Sequence, residues 1–215
     1  MKRTLLSVAP LLIGVAILLT GQGLQGTLLP VRASLEGFST LTIGLMGGAY
    51  FFGFTLGCLR GSTLVRKVGH VRVFAAMTAA ASAAPLIHGL WQEPWLWWLL
   101  RFVTGYCFAV LYVVIESWLN EQSTNETRGA VFSAYTLITL TVLAVGQQML
   151  LLYDPQQMAL FAIASAIVSL AAIPVVLSVA PSPAHTESEV KLDLRRLLRI
   201  SPAGALGCRD RRASS

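Results

Sequence analysis

Six apolar runs of transmembrane length, joined by short polar links, leave few folds open to this chain. They cover roughly residues 7–29, 39–59, 71–90, 95–115, 130–152 and 157–179. A helix crossing the hydrocarbon core of a bilayer needs about 20 predominantly apolar residues. Composition agrees: 55% of the 215 residues are hydrophobic and only 12% are charged, against about 25% charged in a soluble domain. The predicted fold class is an all-α membrane protein with six transmembrane helices. The links are short, so consecutive helices are expected to lie as antiparallel neighbours. Residues 1–180 are read as the bundle, and residues 181–215 as a cytoplasmic linker with a short amphipathic helix and a tail.

The segment Gly57–Arg72, GCLRGSTLVRKVGHVR, is a basic island between two apolar runs. Arg60, Arg66, Lys67 and Arg72 are costly in hydrocarbon, so the island reads as a tight cytoplasmic loop. Fourteen of the sixteen Lys and Arg residues fall on the side of this island, and Arg32 alone falls on the other. That bias places both termini in the cytoplasm. The expected location is the inner (plasma) membrane. Trp91, Trp95, Trp97 and Trp98 are expected at the outer interface, where amphipathic rings settle. Lys2 and Arg3 resemble the start of a signal peptide. The apolar run Leu5–Leu29 is nevertheless longer than the 7–15 residues such a peptide uses, so it reads as the first span. The formal net charge of +6 therefore describes membrane topology and gives no reason to expect nucleic acid.

Cys58, Cys107 and Cys208 are isolated, as are His70, His88 and His185. No disulfide framework, metal site or cofactor is expected from that spacing, and Cys58 and Cys107 read as small helix-packing residues. Gly21, Gly23 and Gly26 spell G-x-G-x-x-G, but a dinucleotide fingerprint needs a strand before it and a helix after it. Inside a long apolar helix the glycines read as packing positions. Gln22 and Gln25 are three apart and share a face; they either line a cavity or hydrogen-bond between helices. Gly44/Gly48, Gly53/Gly57 and Gly57/Gly61 give the G-x-x-x-G spacing that lets helix backbones approach closely. Pro85 is expected to kink the third helix.

Arg101 is the one full charge well inside an apolar run. It lies about 10 Å beyond Pro94 at 1.5 Å per residue. It either snorkels to the tryptophan belt or faces an interior cavity. Helical spacing puts Arg101, Gly105, Tyr112 and Glu116 on one stripe. The connector ESWLNEQSTNETRG carries Glu116, Glu121, Glu126 and Arg128, on the same side as Arg66, Lys67 and Arg72. Opposite charges there could latch helix pairs at about 0–1 kcal/mol each, or simply form a solvated loop. In the fifth helix Thr136, Thr139, Leu143 and Gln147 share a face, while the sixth reads as scaffold. VKLDLRRLLR reads as an amphipathic helix, either on the membrane surface or docked to a partner.

Between the second and third helices the sequence STLVRKVGHVR resembles the G-x-x-x-D-R-x-G-R-R signature of the major facilitator superfamily. Lys67 and Gly69 match, and Arg72 contributes to the basic end. Arg66 stands where the family has Asp. Arg101 and Gly105 are similar to the R-x-x-x-G of its fourth helix. The connector after that helix resembles the YcaD-like branch. The resemblance covers about residues 5–200. It implies one six-helix half of a twelve-helix fold, with substrate at the midplane between halves. ISPAGALGC resembles the opening of a seventh helix before RDRRASS, an ending that reads as truncation or a frame change. The expected function is secondary active transport of a small solute by alternating access, here as an incomplete half. Expected partners are the bilayer, a small-molecule substrate, and a second six-helix half or homodimer. Arg101 would hold an anionic or polar group, with Gln22, Gln25, Gln147 and Tyr112 around it. Arg66, Lys67, Gly69, Arg72, Glu116 and Arg128 would form the gate. The alternative is a non-transporting scaffold or assembly partner. Paired carboxylates, a nucleophile–base pair or metal ligands at membrane depth, which an enzyme would need, are missing from the pattern.

Overall fold

The computed structural model describes residues 2–177, with side chains described from Val8 onward. The expected linker and amphipathic helix at 181–215 lie outside the described residues. The elements are α1 (Lys2–Leu35), α2 (Thr40–Val68), α3 (His70–Leu90), α4 (Pro94–Gln122), α5 (Arg128–Gln148), a 3₁₀ turn (Met149–Leu152), α6 (Ala159–Leu170) and α7 (Ala172–Val176). No strand occurs among the described residues. Six stretches are long and apolar enough to cross a membrane, α5 counted with its 3₁₀ turn and α6 with α7.

α1, α2 and α4 run well past their apolar runs, and the links after them shrink accordingly. The basic island is the clearest correction: it is not a loop. α2 continues through Arg60, Arg66 and Lys67 to Val68, and Gly69 is the single residue between α2 and α3. A 29-residue helix is about 44 Å long, well beyond a hydrocarbon core of about 30 Å. The charged turn can therefore stay helical and still stand clear of the lipid. Gly69 has φ +96°, a conformation that only glycine adopts without strain. Its N–H bonds the Val65 carbonyl at 2.8 Å, and its own carbonyl accepts from Val73 N–H at 3.1 Å. One residue thus closes α2 and opens α3.

The sixth span departs in the other direction. It is broken at Ala171 between α6 and α7. Pro174 has no N–H to offer the Leu170 carbonyl, which accounts for the step. Two of the four expected belt tryptophans are drawn inward. Trp97 is fully buried and donates Nε1–H to the Trp91 carbonyl at 2.7 Å. Trp98 donates to the Thr42 carbonyl at 3.1 Å, tying α4 to α2. Trp91 and Trp95 remain exposed, as interfacial rings should be. Cys107 is buried, whereas Cys58 is exposed and takes no part in interior packing.

α2 packs chiefly on α4, α1 on α5 and α6, and α3 on α4 and α6. α1 and α4 are central: 56% of the most apolar stretch of each is buried, against 17% for α2 and for α5. Apolar packing falls into two clusters. One takes α1 as far as Leu19, with Phe108, Val110, Leu111, Val114, Ile115, Trp118 and Leu119 of α4. The other takes α1 from Leu24 onward, with Met46, Trp97, Leu160 and Phe161. Along α1 the seam between the two clusters falls at residues 20–23, where Gln22 sits.

Candidate functional site

The glycines set the geometry. Gly53 of α2 faces the Phe102 backbone of α4, and Gly57 faces that of Tyr106. From the other side, Gly105 of α4 faces the Tyr50 carbonyl and the Phe54 N–H of α2. A Cβ at any of these three positions would overlap the facing backbone. Gly23 meets Leu143 of α5, and Gly146 of α5 meets Thr20 and Leu24 of α1. The G-x-G-x-x-G of α1 is thus partly a helix-packing run inside a continuous helix, with Gly21 set against Val168 of α6. Gly44 and Gly48 meet nothing within 4 Å, so only the inner part of the α2 glycine series serves packing within this bundle.

That close approach brings Tyr50 beneath Arg101. The guanidinium carbon stands 4.3 Å from the centre of the Tyr50 ring, a cation–π contact. The glycine four residues after Arg101 has a physical reason here: it admits the α2 backbone that carries Tyr50. Gln22 of α1 then donates Nε2–H to the Tyr50 hydroxyl at 3.0 Å. It accepts from the Tyr112 hydroxyl at 3.0 Å. Three helices are joined at one point, and Gln22 is committed at both ends of its amide.

Gln22, Gly23, Gln25, Gly26, Tyr50, Arg101, Phe108, Leu143 and Gln147 line a cavity of about 210 Å³. Arg101 therefore takes the interior alternative rather than the tryptophan belt. Gln25 is 2% exposed, and its Nε2 has no hydrogen-bond partner. The acids of the described residues are Glu36, Glu93, Glu116, Glu121, Glu126 and Asp154. Along α4 the nearest to Arg101 are Glu93 and Glu116, about 12 and 22 Å away along the axis at 1.5 Å per residue. Among the described residues that line it, the cavity has the Arg101 guanidinium and no carboxylate.

Of the residues singled out in the sequence, Arg101, Gln22, Gln25 and Gln147 meet at this cavity, and Tyr112 reaches it through Gln22. Tyr50 was missed. The available signal was a lone phenol inside an apolar run beside the α2 glycines. At the basic end, Gly69 caps two helices, and Arg66 donates to Thr63 Oγ1 at 3.4 Å. Lys67, Arg72, Glu116 and Arg128 are exposed. No ion pair joins Arg66, Lys67 or Arg72 to Glu116 or Glu126 among the described residues; the ion pair found there is Arg32–Glu36, at 2.6 Å.

Residues 11–208 match the family model of the Major Facilitator Superfamily. The "Uncharacterized MFS-type transporter YcaD" of Escherichia fergusonii is 27% identical over 200 residues, covering 92% of this chain and 52% of that protein. The protein of the same name in Escherichia coli O139:H28 is 32% identical over 139 residues, covering 64% of this chain and 36% of its own length. An "Uncharacterized MFS-type transporter" of Enterobacter sp. (strain 638) is 29% identical over 140 residues, covering 65% of this chain and 37% of that protein. The chain spans between about a third and a half of the length of these curated relatives. No solved structure matches it.

Proposed function

We propose a solute-carrier role from one premise: the chain belongs to the major facilitator superfamily. It is an integral membrane protein of a transporter family, and its six spans correspond to one half of that architecture. In this reading the half contributes its cavity to secondary active transport of a small solute by alternating access. Arg101 holds an anionic or strongly polar group of the solute, with Gln25 and Gln147 beside it. Gln22 and Tyr112 fix Tyr50 and, through it, the guanidinium.

The observation that carries the proposal is the uncompensated Arg101 charge on the cavity wall. On insertion scales a charged side chain costs up to about 2.5–3.5 kcal/mol, the value at the helix centre. A cation–π contact returns only about 0.5–2 kcal/mol. The shortfall is what a bound anion would make up.

The remaining half of the path would come from a second six-helix unit, either a homologous half or another copy. α2 and α5 are the least covered spans, and Gly44 and Gly48 leave α2 open to a close neighbour. These two helices are where that unit would dock. Arg66, Lys67, Gly69, Arg72, Glu116 and Arg128 would lie at the cytoplasmic mouth, with both termini on that side, and would gate it through transient charge pairs. The alternative, a scaffold without transport, uses the same α2 face but leaves Arg101 without a role. Uptake into proteoliposomes, with and without a co-expressed second half, tests the carrier reading. Arg101→Ala should abolish solute binding and uptake. A parent chain that binds and takes up no solute, with a partner protein that co-purifies equally with the parent and with Arg101→Ala, would favour the scaffold.

A further inference from the structure

Two backbone facts and one side chain say more about what the cavity takes. α1 remains helical through Pro30, and proline has no N–H for the carbonyl four residues earlier. That carbonyl belongs to Gly26, which lines the cavity. A Cβ at Gly26 would meet nothing within 4 Å, so the backbone there is open to approach. Next to it, Gln25 is buried, lines the same cavity and carries an unpartnered amide nitrogen. Gln22, by contrast, already bonds Tyr50 and Tyr112. The wall of α1 therefore offers a carbonyl that lacks its usual i+4 donor and an amide able to donate or accept. The wall of α4 offers a cation.

We infer that the cavity takes a small organic carboxylate with a hydrogen-bond donor on the adjacent carbon: an α-hydroxy acid anion or a zwitterionic α-amino acid. The carboxylate sits on Arg101, and the neighbouring hydroxyl or ammonium donates to the Gly26 carbonyl, with the Gln25 amide completing the site. This inference rests on the reading of Arg101 as the anion contact. The size is consistent: about 210 Å³ is far above the roughly 10–15 Å³ that one water requires.

The test is binding to the purified chain in lipid nanodiscs by titration calorimetry, with glycolate, glycine, acetate and methylammonium as probes. Glycolate or glycine should bind roughly tenfold tighter than acetate, a difference of about one lost hydrogen bond to a charged or buried group. Methylammonium should not bind. Whichever of glycine and glycolate binds more tightly identifies the donor as ammonium or hydroxyl. Pro30→Ala restores an N–H to the Gly26 carbonyl without removing a helix former. It should bring the tight ligand down toward acetate, and Gln25→Leu should do so in part. Acetate bound as tightly as both glycine and glycolate, or a preference that survives Pro30→Ala, would overturn the donor subsite. If the anions still bind equally and Arg101→Met abolishes them, only this inference fails. If no anion binds, or binding survives Arg101→Met, the reading of Arg101 fails with it.

Discussion

Adding one methyl group at Gly105 should loosen the bundle and the site together. The three atoms nearest a Cβ at this position are the Tyr50 carbonyl oxygen and carbon and the Phe54 nitrogen. All are backbone, so no side chain can swing away. To restore an ordinary carbon contact of about 3.5–4.0 Å, α2 and α4 must part by about 1 Å or more. Overpacking of this kind costs about 1–3 kcal/mol. At about 2–4 °C per kcal/mol for a domain of this size, Gly105→Ala should melt roughly 2–12 °C below the parent. The displacement also carries the Tyr50 ring away from Arg101. Gly48→Ala is the control, because nothing lies within 4 Å of its Cβ. There the change removes helix-interior glycine and should be neutral or stabilising by up to about 1 kcal/mol. Melting of detergent-purified chain, followed by tryptophan fluorescence, reads both. A Gly105→Ala protein as stable as the parent, or a Gly48→Ala protein destabilised as much, would refute backbone contact as the basis of the α2–α4 pairing.

Tyr50→Phe keeps the ring under Arg101 but strands the Gln22 amide, so it should cost about 1–3 kcal/mol. Tyr50→Leu should cost about 0.5–2 kcal/mol more by also losing the cation–π contact. The same melts compare the two. Arg32 is buried, donating to the Pro155 carbonyl at 3.2 Å and pairing with Glu36. Arg32→Ala should therefore raise hydrogen exchange at residues 153–157 while leaving α2 unchanged. In a background without Cys58, Cys107 and Cys208, Lys67→Cys and Glu93→Cys should react with an impermeant thiol reagent from opposite faces of the membrane. Labelling from one face would remove the proposed topology.

The membrane-spanning, all-helical fold was legible because lipid imposes a length and a polarity that run along the sequence itself. Helix ends were less so. Arg60–Lys67 read as a loop because charge is expelled from hydrocarbon, but expulsion does not require the helix to stop. What stops it is Gly69, and φ +96° is a property of one residue's backbone rather than of composition. Arg101 stood out as a lone charge, and Gln22 and Gln25 as a polar pair. Their meeting depends on how α1, α2 and α4 cross, which glycine spacing permits but does not orient. Tyr50 stayed hidden for the same reason: a phenol in an apolar run could equally face lipid, and only the Gly105 contact turns it inward. Trp97 likewise looked like its neighbours until packing placed it under the outer layer.

Whether solvent reaches the cavity walled by Arg101 can be probed by thiol accessibility. In the cysteine-free background, Arg101→Cys, Gln25→Cys and the outward-facing Phe52→Cys (68% exposed on the bare bundle) are reconstituted in vesicles and treated with a small, charged methanethiosulfonate. Labelling at 101 and 25, with 52 protected by lipid, is the result expected of a solute path. Labelling at 52 with 101 and 25 inert would mean that Arg101 faces a dry core, and would contradict it.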